Sequence, residues 1–112
     1  MSTLTDGHAR AGAPLRFPRL FEPLTIGTVE LPNRIVMLPA GPSLAFDGSV
    51  SDRDIDYFEA RARAGVGLVV LGGTTVHETS QLRSRPLRHA HTSDHLPRFA
   101  YLETAVHRRG TG

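Results

Sequence analysis

Two apolar runs decide how this chain reads: Ile35-Val36-Met37-Leu38, entered from Arg34 and stopped by Pro39, and Val66-Gly67-Leu68-Val69-Val70-Leu71, stopped by Gly72-Gly73. Neither run alternates polar with apolar residues. Continuous, β-branched runs of this length are the pattern of strands buried on both faces of a parallel sheet. Between them, Ser51 and Asp54 stand at capping-box spacing, with Asp in place of the usual Glu or Gln, and Ile55, Phe58 and Ala62 recur at helical spacing. Gly65 ends that helix. A strand, a helix of about fourteen residues and a second strand make a βαβ unit, whose crossover is almost always right-handed.

Upstream of the first run, Leu24, Ile26, Val29 and Leu31 surround Gly27-Thr28, and Gly at the first central position of a two-residue loop predicts a type II′ hairpin. Pro32-Asn33 then redirects the chain, because proline cannot donate to a strand ladder. Downstream of the second run a long polar connection leads to a second helix. Asp94 is its expected cap, Pro97 falls in its first turn, and Leu96, Phe99, Leu102 and Val106 share one face. Arg108 and Arg109 suit its carboxyl end and Gly110 its stop. The order is hairpin, β, α, β, α, an α/β arrangement in which a third strand is expected next. Residues 1–16 carry no apolar period and read as a flexible tail, leaving 17–112 as the ordered part.

Composition narrows the function classes. Thirteen basic residues, all arginine, face eleven acidic ones for a net charge of +2, and the arginines are scattered rather than gathered on one face as in a nucleic-acid binder. The absence of cysteine excludes a disulfide framework, a thiolate metal site and a cysteine nucleophile, and makes the cytoplasm the expected compartment. No apolar run approaches the ~20 residues of a membrane span, and the first sixteen residues lack the hydrophobic stretch of a signal peptide. No nucleic acid or membrane partner is expected.

Ligands of parallel α/β folds meet the carboxyl ends of the strands. Here those ends are Pro39-Ala40-Gly41-Pro42 and Gly72-Gly73-Thr74-Thr75, both poor in bulky side chains, so main-chain groups there can approach a flat ligand. The same residues are also ordinary turn formers.

Several separated segments together resemble the amino-terminal part of the old yellow enzyme family, the FMN-dependent NADH:flavin oxidoreductases that include dienoyl-CoA reductase-like members. They are Leu20-Phe21-Glu22-Pro23-Leu24 with Ile26-Gly27, Leu31-Pro32-Asn33-Arg34-Ile35-Val36-Met37, Asp47-Gly48, Asp56-Tyr57-Phe58-Glu59-Ala60-Arg61-Ala62, and Ala64-Gly65-Val66-Gly67-Leu68-Val69-Val70. The resemblance runs from about Phe17 to Gly110. It implies the amino-terminal part of a TIM (β/α)8 barrel whose hairpin closes the bottom and whose top holds FMN, with NAD(P)H delivering hydride to the flavin and an electron-poor alkene or related acceptor receiving it. It also implies that Pro39, Ala40 and Gly41 lie under the flavin ring and that Gly73 lies near its pyrimidine edge. Family members often carry Thr or Cys at or beside the position of Gly41, and glycine offers no such group.

The family's flavin-contacting glutamine, its His/Asn or His/His substrate pair, its proton-donating tyrosine and its phosphate grip belong to later strands and have no counterpart before Gly112. No catalytic residue is therefore expected here. A whole barrel needs about 250 residues and this chain has 112. The expectation is an amino-terminal fragment, inactive alone, and two strands would leave both of their outer edges unpaired. A rival reading is a non-catalytic binding or assembly module that pairs with another chain, such as the remainder of a split barrel.

Other constellations carry less. His89, His91 and His95 near Asp94 have metal-ligand chemistry, yet fall in a polar connection with no regular element to orient them, so no metal site is expected. Gly65-Val66-Gly67 follows a helix rather than a strand, the reverse of a dinucleotide loop. Arg83, Arg85 and Arg88 read as a solvated loop, and Asp52, Asp54, Asp56 and Glu59 as helix-start and surface charge.

Overall fold

The computed structural model describes residues 16–40, 43–80 and 86–112. Apart from Arg16, the expected tail lies outside the described residues, as does Gly41. The described residues open with a 3-10 turn, Pro18–Phe21, followed by strands β1 (Leu24–Ile26) and β2 (Val29–Leu31). These pair antiparallel with Ile26 opposite Val29, which leaves Gly27-Thr28 as the two-residue loop. Gly27 has φ +60° and Thr28 is not left-handed, the φ signature of the expected type II′ turn.

Next come β3 (Val36–Met37), helix α1 (Asp52–Arg63) and β4 (Leu68–Val69). β3 and β4 are parallel, with Val36 opposite Leu68 and Met37 opposite Val69. The βαβ unit is therefore present, with shorter elements than the apolar runs suggest. Helix α1 starts as expected: Asp54 N donates to Ser51 Oγ at 3.1 Å, and Ser51 N donates to Asp54 Oδ2 at 3.4 Å. It has 12 residues rather than fourteen and stops before Gly65, whose φ is +99°.

Two further strands, β5 (Thr74–Thr75) and β6 (Arg88–His89), pair parallel, Thr74 with Arg88 and Thr75 with His89. This corrects the reading of the segment before α2 as a connection without regular structure. Helix α2 spans Leu96–His107 and is entered through a 3-10 turn, Ser93–His95. Thr92 caps that 3-10 turn, its hydroxyl accepting from Asp94 N at 3.0 Å, while α2 itself has His95 at its N-cap with no side-chain bond, so the expected cap Asp94 does not serve. Because the extra turn rotates the entry, Leu96 is 62% exposed instead of joining the apolar face, and Ala105 takes part beside Leu102 and Val106. Gly110 ends α2 at φ +80°.

The core lies between the helices and one face of the β3–β4 pair. Val50, Ile55, Phe58 and Ala62 meet Leu102, Ala105 and Val106, with Met37, Val69, Leu71 and Phe99 packed against them. Burying a side chain such as Phe58 contributes about 1.5–3 kcal/mol. Arg109 ties α2 to α1 through Glu59 at 2.9 Å, and this hydrogen bond, opposed by some desolvation, holds the Glu59 carboxyl below its ordinary pKa. Arg98 does the same at the other end, reaching Val50 O at 2.9 Å and Asp52 at 2.6 Å.

The expectation that both strand faces are buried fails for the second face, where Val36 and Val70 are 40% and 36% exposed. No described element lies over them. The free edge of β4, expected to be bare, is met by the chain's own last residue: Val69 N donates to Gly112 O, and Gly112 N to Gly67 O, both at 2.9 Å. Thr111 adds a hydroxyl bond to Val66 O at 2.8 Å.

The hairpin is pinned to this unit by Asn33, which is fully buried. Its Nδ2 donates to Gly65 O at 2.6 Å and its Oδ1 accepts from Ile35 N at 3.0 Å. Gly67 must be glycine here, since a Cβ would stand 2.4 Å from Asn33 O.

Candidate functional site

Parallel pairing fixes where the two strand ends go. Val70 N donates to Met37 O at 3.0 Å, so Leu38-Pro39-Ala40 and Leu71-Gly72-Gly73 leave the pair side by side in the same direction. The Gly65–Gly67 turn and Asn33 sit at the opposite end. Pro39, Ala40 and Gly73 are exposed, while Gly72 is buried. A Cβ placed on Gly73 would meet, among the described residues, only Leu87 Cδ2 within 4 Å, at 3.6 Å, an ordinary contact. Three of the four expected site residues are thus placed at one end of the sheet.

The loops behind these tips are built rather than loose. After β3 the chain makes a tight turn, Phe46-Asp47-Gly48-Ser49, with φ +50° and +75° at its centre and paired Phe46–Ser49 backbone bonds of 3.0 and 2.9 Å. His89 N donates to Gly48 O at 2.7 Å, anchoring that turn to β6. Ser51 Oγ donates to Leu44 O, joining the α1 cap to the loop that follows the first tip. A cleft of about 690 Å³, lined in part by Leu44, Phe46, Pro86 and Arg98, opens beside this loop. Pro39, Ala40 and Gly73 do not line it; they form an open surface.

Sequence reasoning missed what lies beneath the second tip. Asp54 and Arg88 are buried, at 0% and 3% side-chain exposure, and Arg88 Nη1 meets Asp54 Oδ1 at 2.8 Å. The other arm, Nη2, donates to Gly72 O at 3.2 Å, and Thr74 Oγ1 donates to the same carbonyl at 3.1 Å. Arg88 also stands over the Phe58 ring, 5.7 Å from its centroid. Asp54 is therefore not surface charge and Arg88 not a solvated cation. Nothing in the sequence distinguishes Arg88 from Arg83 and Arg85, which lie outside the described residues.

The histidines fall together more than expected. The His89 ring lies 5.0 Å from that of His91 and 5.8 Å from that of His95, centroid to centroid. Among the described residues no three His, Asp or Glu side chains are arranged to hold a metal ion. No described helix is long and apolar enough to cross a membrane.

With this geometry in hand, the chain can be set against known proteins. The sequence profile of the NADH:flavin oxidoreductase / NADH oxidase family matches residues 19–111. A NADH oxidase of Thermoanaerobacter brockii is 54% identical over 61 residues, 54% of this chain and 9% of that protein. Among solved structures, a 2-naphthoyl-CoA reductase complex superposes with TM-score 0.79 at 27% identity, covering 85% of this chain and 14% of its own. The old yellow enzyme of Trypanosoma cruzi gives TM-score 0.73 at 28% identity, covering 87% and 26%. The chain thus spans a small part of the length of its relatives, and the fold it shares with them is the start of a TIM barrel, hairpin then β-α-β-α, without a closed sheet. On the strength of the profile and of these relatives, the chain belongs to the NADH:flavin oxidoreductase / NADH oxidase family.

Proposed function

We propose that this chain supplies the flavin-facing start of an FMN-dependent NAD(P)H oxidoreductase, with the main chain of Pro39, Ala40, Gly41 and Gly73 approaching the flavin ring. The observation that carries the reading is the parallel register of β3 and β4, which sets two side-chain-poor tips side by side at one end of the sheet. The residues fit such a group: a flat ring needs close main-chain approach, and among the described residues a Cβ on Gly73 would meet only Leu87 Cδ2. When bound, FMN supplies the redox chemistry, transfer of hydride from NAD(P)H to an electron-poor alkene or related acceptor.

The chain's own part is support. The exposed backbone at Ala40 and Gly73 offers N–H and C=O groups to the polar edge of a ring, and the absence of bulk keeps that edge accessible. No described residue is assigned a proton-transfer role, so the chain is inactive alone, and we place it in the cytosol. Titrating FMN into the labelled chain tests the reading. Amide signals of Ala40 and Gly73 are expected to shift at millimolar FMN, while yellow absorbance is lost on gel filtration. No shift at either tip overturns the placement, and flavin retained through the column overturns the claim that the chain alone holds it weakly.

A second reading, an assembly module completed by another polypeptide such as the rest of a split barrel, is favoured by the exposed Val36, Leu38 and Val70 beside the β3–β4 pair. A measured mass discriminates: a folded monomer that ignores a polypeptide carrying the later strands counts against it, and a defined complex supports it.

A further inference from the structure

We propose that Arg88 is a positioning residue for the Gly72-Gly73 tip, and that with Asp54 it locks the loops after β3 and β4 at a fixed spacing. A guanidinium meeting a carboxylate gains most from two parallel bonds between the forks. Here the fork is divided: Nη1 goes to Asp54 Oδ1 and Nη2 to Gly72 O, while Nε, also buried, has no partner among the described residues. One arm of a buried cation is thus committed to a loop carbonyl. Asp54 is divided too, giving Oδ1 to Arg88 and Oδ2 to the backbone of Ser51.

These bonds form one continuous chain. Leu44 O accepts from the Ser51 hydroxyl, Ser51 and Asp54 cap α1 reciprocally, Asp54 holds Arg88, and Arg88 reaches Gly72 O, which Thr74 also engages. It starts in the loop that continues from the first tip and finishes one residue before Gly73. Because every member between is buried or half-buried, neither loop can shift without breaking a bond that water does not replace. A lysine at position 88 could satisfy Asp54 as a point charge but could not also span to Gly72 O with a second planar arm.

The inference rests on the proposed flavin-facing role for its purpose, not for its geometry, and the two are tested separately on the full chain labelled with carbon-13 and nitrogen-15. In the wild type, slowly exchanging Arg88 Nη protons are expected, with cross-relaxation to the Gly72 and Gly73 α-protons. In Arg88→Lys the Gly72 carbonyl carbon is expected to move upfield and the Gly73 amide to shift, with a weaker FMN response at Gly73. Thr74→Val, which removes the other donor without touching the buried charges, moves the Gly72 carbonyl in the same direction by less. Should Arg88→Lys not fold, the wild-type Nη protons decide: fast exchange and no contact with the tip overturn the proposal. So does an Arg88→Lys chain that melts earlier yet keeps native Gly72 and Gly73 signals, since the pair then supports only the core. If the wild-type tips ignore FMN while Arg88→Lys still displaces Gly72, the flavin reading fails and the positioning of the tip stands.

Discussion

The two faces of the β3–β4 pair are made of the same kinds of residue and meet opposite fates. Met37 and Val69 pack against a core in which Phe58 is fully buried, whereas Val36 is 40% and Leu38 is 72% exposed. A continuous apolar run asks for cover on both sides of a strand, and the two helices provide it on one. The difference teaches that the helix-covered side holds the unit together, while the other face is the one left open for the flavin-facing role proposed above.

The largest test of that division is Phe58→Ala, expected to cost about 3–5 kcal/mol because it empties the centre of the covered side. Denaturant unfolding reads it directly, and a loss below about 1 kcal/mol would mean that the helices do not carry the fold. Gly67→Ala comes next, at about 2 kcal/mol, since its Cβ would collide with the Asn33 backbone at 2.4 Å. Ser51→Ala should cost about 1 kcal/mol through the lost α1 cap. Leu38→Ser, on the open face, is expected to stay within about 0.5 kcal/mol of wild type by thermal melting. A larger loss would show that this face is covered in the chain on its own.

The smallest effect is one of pH. Arg109 lowers the folded pKa of Glu59, so the unfolded chain binds the proton more readily, and the pair's stabilisation is complete above the ordinary glutamate range and lost as pH falls through the folded value. Arg109→Ala should therefore cost a little stability at neutral pH, little because the pair is partly exposed, and converge on wild type as pH falls below about 4.5, so that the acid slope of the stability profile is shallower in the variant. An undiminished acid slope in that variant would assign the effect to other carboxylates.

What was legible in the sequence was local. The capping box at Ser51 and Asp54, the Gly27-Thr28 turn and the stops at Gly65 and Gly110 each depend on a few neighbouring residues, and the two apolar runs identify β3 and β4. Segments matching a known family supplied the barrel context and the tip residues Pro39, Ala40, Gly41 and Gly73. What was hidden depends on pairing at a distance. β5 and β6 are two residues each and meet across an intervening segment, leaving no period to detect, and their pairing is what brings Arg88 under Gly72. Asp94 fails as the second helix's cap because it lies inside a 3-10 turn, itself capped by Thr92, that the helical spacing of Leu96 disguises.

Asn33 carries a consequence for the order of assembly. Its carboxamide donates to a carbonyl 32 positions later in the chain, in the turn that closes α1. That acceptor is in place only once the helix has formed and turned back, so the upstream hairpin has nothing to clasp before then. The amides of Val29 to Leu31 should accordingly gain their protection from solvent exchange after those of α1, as late arrivals.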